Sequence, residues 1–187
     1  MEDYRELATR TECEYTKQLL ERAKERVRLT HAAFGLGGEI AELRDAIVAD
    51  DRTNILEELG DFYWYLAIIE NVCETNFIFD DGNIIEGTVV ELVDDLEFQI
   101  CKFIDSLKRA IFYGTELSTE DLLFLGEDIS LSLGNLCVKF ESTVDEVRTA
   151  NINKLKARYG NKFSEDRAVN RDLENESNTL KENLNGQ

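Results

Sequence analysis

The chain has 187 residues, 43% of them hydrophobic and none of them proline, and its net charge is −18. That length suits one domain with a real core, and the missing proline removes the strongest helix breaker. An acidic chain without a basic stripe argues against a nucleic-acid partner, because it offers no counterion release, though a small anionic substrate stays open if cations collect at its site.

No stretch is long and apolar enough to span a bilayer, and the opening MEDYRELATR is no signal peptide, so the expectation is a soluble, cytoplasmic protein with no membrane partner. Cys13, Cys73, Cys101 and Cys137 lie far apart without a C-x-x-C and read as small buried hydrophobes rather than disulfides or zinc ligands.

The first expected helix runs from about Tyr4 to Leu29 and the second from about His31 to Ala49, ending at the ADDRTN turn. Asn54 then caps a third helix, with Glu57 as its capping-box partner, through the hydrophobic LGDFYWYLAIIENV. A connection around TNFIFDDGN leads to a fourth helix, VVELVDDLEFQICKFIDSLKRAIFYG. Ser118 or Thr119 caps a fifth, and a sixth starts near Thr143 and carries DEVRTANINKLKARYG. The expected fold is thus an all-α bundle of about six helices over 1–163, followed by a polar arm or tail over 164–187.

An internal duplication is a candidate. RDAI at 44–47 resembles KRAI at 108–111, and LGD at 59–61 resembles LGE at 125–127; a two-residue loop difference reconciles the offsets. Glu39, Glu42 and Glu58 then face Phe103, Ser106 and Phe124, and only Asp61 keeps an acid opposite it, Glu127. The second half would be degenerate.

Glu39/Glu42 and Glu58/Asp61 are two acid pairs at a spacing that shares one helical face, each in an apolar frame. They are either two solvated faces or one cation site. If the two helices pack antiparallel, the acids converge, and like charges about 5 Å apart at an effective dielectric near 20 repel by roughly 3 kcal/mol per pair. Such a cluster must protonate or bind cations, and oxygen-only ligands point to magnesium first and manganese next. A di-iron bundle needs two Glu-x-x-His motifs, whereas the only histidine, His31, has no glutamate three before it.

Gly35, Gly37 and Gly38 mimic a phosphate loop without a preceding strand and read, with Gly60, as points of close helix contact. In NINKLKARYG, Asn151, Lys154 and Arg158 share a narrow arc while Lys156 points away. That stripe suits phosphate oxygens or, more plainly, a solvated helix end.

These residues resemble those of the MazG-like all-α nucleoside triphosphate pyrophosphohydrolases. The family's E-x-x-E … E-x-x-D signature is matched by Glu39, Glu42, Glu58 and Asp61, within FGLGGEIAEL and EELGDFYWYLA. Its later N-x-x-K-L-x-x-R-Y element is matched by Asn151, Lys154, Leu155, Arg158 and Tyr159, followed by KFSEDRAVNRD. The middle of the chain is longer than in the shortest members and resembles the duplicated ones. Many relatives carry lysine after DAI where this chain has Val48–Ala49, leaving Arg44 or Arg52 as substitutes for a phosphate contact.

The resemblance implies magnesium-dependent hydrolysis of a nucleoside triphosphate to monophosphate and pyrophosphate. Glu39, Glu42, Glu58 and Asp61 would be the metal-holding catalytic set, and Asn151, Lys154, Arg158 and Tyr65 would bind the substrate. Trp64 and Phe34 are candidates to stack on the base, with a core role as the alternative. A homodimer is expected. The alternative substrates are dUTP, a modified nucleotide or an alarmone; the alternative class is a non-catalytic helical interaction module.

Overall fold

The computed structural model describes residues 4–77, 86–160 and 162–184, and those residues are helices and connections without a strand. The expected first helix is three pieces. α1 (Tyr4–Thr9) ends early, Thr16 caps α2 (Lys17–Glu25) by accepting from the Leu19 amide, and Arg26 breaks the path before α3 (Val27–Val48). α4 (Arg52–Cys73) is capped by Asp51, which accepts from the Asn54 amide; Asn54 is therefore inside the helix, and Glu57 is not its capping partner. The connection after α4 lies mostly outside the described residues, but Phe77 is buried there against Gly126.

α5 (Val89–Lys108) starts at a Thr88/Glu91 capping box and widens into a π-helical turn over Arg109–Tyr113. The Arg22 guanidinium donates to the Ile111 carbonyl of that turn at 2.8 Å, which ties α2 to it. Ser118 with Asp121 caps α6 (Thr119–Lys139), and Thr143 with Glu146 caps α7 (Val144–Tyr159), as their sequences lead one to expect.

α3 and α4 form one antiparallel hairpin, and α5 and α6 form another that packs on the first, α5 on α3 and α6 on α4. Their facing stripes, such as Leu36, Leu43, Leu59, Leu66, Leu96 and Leu133, are fully buried and recur at helical spacing. The helix bounds agree with a duplication. Val27–Val48 moved by 64 residues falls on 91–112, within the 89–113 of α5 and its π turn. Arg52–Cys73 moved by 66 falls on 118–139, against Thr119–Lys139 for α6. The linkers, 49–51 and 114–118, differ by the two residues required.

α7 crosses α4, where Gly60 lets the helices meet: a Cβ there would lie 3.0 Å from the Asn151 Cβ and 3.4 Å from the Val147 carbonyl. Gly35 similarly makes room for the Tyr65 ring, but Gly38 faces open space and mediates no close contact. The polar arm begins with α8 (Glu165–Val169), and α9 (Leu173–Leu184) folds back on α7 and α4, burying Leu180 and Glu176. The cysteines are all free. Cys137 is buried as expected, Cys13 and Cys73 are half-buried, and Cys101 is exposed, contrary to the reading as a core residue.

Candidate functional site

The α3–α4 hairpin brings together Glu39, Glu58 and Asp61, each offering a carboxylate oxygen within 4.8 Å of the others. This is the only cluster of three or more candidate metal ligands among the described residues. Antiparallel pairing causes it: Glu39 lies about ten residues before the turn on α3, and Glu58 and Asp61 lie a similar distance after it on α4. Glu58 is only 5% exposed, among Leu56, Leu59 and Phe62 on a helix built for the core. Glu42 is on the exposed side of α3, outside the tight trio, although its charge is felt by both Glu39 and Glu58.

The cluster is electrostatically strained. Burial pushes Glu58 up to about 9, helped by its hydrogen bond to Glu39 and by the charge of Asp61. Burial and Asp61 push Glu39 up to about 7, against the lowering effects of Glu58 and Lys154. At neutral pH the pair keeps a proton between them unless a cation replaces it. A hard divalent ion fits this donor set of close carboxylate oxygens and no softer ligand.

α7 supplies the opposite charge. Lys154, 1% exposed, donates to both oxygens of Asp61 at 2.6 Å and to Glu57 at 3.2 Å. Asn151 Nδ2 donates to Asp61 Oδ1 at 2.6 Å. Glu57 thus belongs to the site through a partner on another helix rather than to a local cap. Its place one turn before Asp61, on the same face, was the available signal.

Arg158 lies further along the stripe and faces protein, not solvent. Its Nε and terminal nitrogen donate to Glu176 of α9 at 2.9 and 2.5 Å, and Arg171 donates to the same carboxylate at 2.7 Å. Burial alone would raise the Glu176 carboxyl, but those two guanidinium groups outweigh it and hold it low. Asn151 and Lys154 therefore join the acid site through Asp61, whereas Arg158, one turn further along α7, is engaged by Glu176 of α9.

Tyr65, one turn past Asp61, is half-buried; burial first, then the charges of Glu39, Asp61 and Glu42, raise its phenol pKa. Its ring meets His31 edge-on at 5.7 Å and Trp64 at 4.8 Å. Phe34 and Trp64 are not core residues: Phe34 is 75% exposed and Trp64 37%. Arg44 is paired with Asp94 and Glu97 of α5, and Arg52 donates to the carbonyls of Phe140 and Glu141, so both tie helices together. In the second half, Glu127 and Phe124 are exposed and Phe103 is buried, and no acid trio forms there among the described residues.

Residues 30–92 match the family model of the MazG nucleotide pyrophosphohydrolase domain. The match spans the α3–α4 hairpin with all four acids and the start of α5, and bears out the resemblance carried by those acids. No curated protein and no solved structure matches the chain.

Proposed function

We propose that the MazG-type hairpin makes this protein a divalent-cation-dependent pyrophosphohydrolase, which cleaves a nucleoside triphosphate into the monophosphate and pyrophosphate. The observation that carries this reading is the convergence of buried Glu58 with Glu39 and Asp61, inside the segment that matches the family. Glu39, Glu58 and Asp61 would hold the ion, magnesium or manganese, with Glu42 completing the set from the rim. A divalent ion bound there would neutralise phosphate charge and lower the pKa of the attacking water.

The protein's own groups do the rest. Glu39 would also orient that water from its place among the ligands. Arg158, on release from Glu176, and the Tyr65 hydroxyl would contact the phosphate chain, whereas buried Lys154 and Asn151 would act on the site through Asp61. The exposed Phe34 and Trp64 rings flank the same helices and offer apolar faces to a base. The substrate is proposed as an ordinary (deoxy)nucleoside triphosphate, in a cytoplasmic homodimer.

The test is a panel of triphosphates, with dUTP, a modified nucleotide and an alarmone included, assayed for monophosphate and pyrophosphate with magnesium or with chelator. Magnesium-dependent release of both products is expected. Absence of turnover across the panel, with magnesium bound, would leave the interaction-module reading in its place.

A further inference from the structure

Asp61 enters the acid cluster already partnered. Both of its oxygens accept from Lys154 at 2.6 Å, and Oδ1 accepts from Asn151 as well. A divalent ion shared by Glu39, Glu58 and Asp61 must take an oxygen that the ammonium now holds. Two cations on one carboxylate repel, and the burial of Lys154 leaves little water to screen them. The ammonium has another seat: Glu57, one turn before Asp61 on the same face of α4, has an oxygen 3.2 Å away.

We infer that Lys154 is an exchangeable counter-cation of the metal site, holding Asp61 in the metal-free protein and shifting toward Glu57 when a divalent ion binds. This rests on the metal reading proposed above. Lys154 acts here as a positioning residue, through Asp61, and it sets metal affinity by competing with the ion. A purely structural ion pair would act in the opposite direction. If Lys154 only clamped α7 to α4, its loss would loosen the site and weaken metal binding.

The experiment is a titration of the full-length protein with Mn2+, the free ion being followed by electron paramagnetic resonance. Wild type, Lys154→Met, Glu57→Gln and the double variant are compared, with melting temperatures in chelator. Lys154→Met is expected to bind Mn2+ roughly 10- to 100-fold more tightly, the range over which partners of metal ligands act, while melting lower in chelator. Glu57→Gln is expected to bind Mn2+ more weakly, because Lys154 then has only Asp61, and this effect should shrink in the double variant.

Unchanged or weaker Mn2+ binding by a folded Lys154→Met protein overturns the exchange. So do strictly additive effects of the two substitutions, which general electrostatics would produce. Should Lys154→Met not fold, the half-buried Glu57→Gln decides alone, and unchanged or tighter binding overturns the inference. A wild-type protein with no saturable Mn2+ binding would instead remove the metal reading itself.

Discussion

Replacing Glu58 with glutamine should make the metal-free protein more stable, and increasingly so as pH rises. The wild-type carboxyl is 5% exposed and pushed up to about 9, so in the folded chain it keeps its proton through neutral pH. The unfolded chain releases that proton near the ordinary 4.5. Between those values the folded state binds more protons, so each pH unit costs folding about 1.4 kcal/mol per proton. Stability from this group is fully present below 4.5 and is lost as pH rises. From 4.5 to 7 the loss reaches about 3 kcal/mol. Glutamine mimics the protonated acid in shape and charge and has no proton to lose. Urea unfolding in chelator at pH 5, 6, 7 and 8 should therefore show the variant ahead by less than about 1 kcal/mol at pH 5 and by about 3 kcal/mol at pH 7. Parallel profiles, or a wild type that gains on the variant with pH, would refute the burial of a strained acid.

Asp61→Asn should lower activity at least about 100-fold by removing a metal-facing charge, whereas Glu127→Gln, exposed at the matching place in α6, should leave it within a few-fold. Comparable losses in folded proteins would mean that the second half contributes chemistry. Gly60→Ala should lower the melting temperature: it gains about 1 kcal/mol of helix propensity but drives a Cβ to 3.0 Å from the fixed Asn151 Cβ, an overpacking worth about 1–3 kcal/mol. Activity should fall with it, because Asn151 and Lys154 ride on the displaced helix, and a melting temperature above wild type would contradict the close crossing. Arg158→Ala should cost about 3 kcal/mol, the low end for a broken buried pair because Arg171 still holds Glu176, and should speed hydrogen exchange in α9. Unchanged exchange there would show that α9 is anchored otherwise.

Much of the bundle was legible because its signals are local. Thr143 stands three residues before Glu146 and Ser118 three before Asp121, and both boxes start helices where expected. The acid pairs were legible too, since one helix turn fixes their shared face and the short 49–51 turn makes the helices antiparallel. The first helix was misread because its break has neither proline nor glycine, and only the Thr16 cap and the Arg26 backbone divide it. Glu57 was misread as a cap because its partner, Lys154, is 97 residues away. α9 was hidden for the same reason. It carries few aliphatic residues, and its buried Glu176 is matched by arginines on α7 and in the preceding loop, a pairing that no local pattern announces.

The central claim is that Glu39, Glu58 and Asp61 hold a divalent cation. Anomalous diffraction from crystals soaked in Mn2+ tests it most directly. The expected result is a peak within about 2.5 Å of carboxylate oxygens from all three residues, with Lys154 drawn away from Asp61. A peak confined to surface acids, or none between the three at millimolar Mn2+, would contradict it.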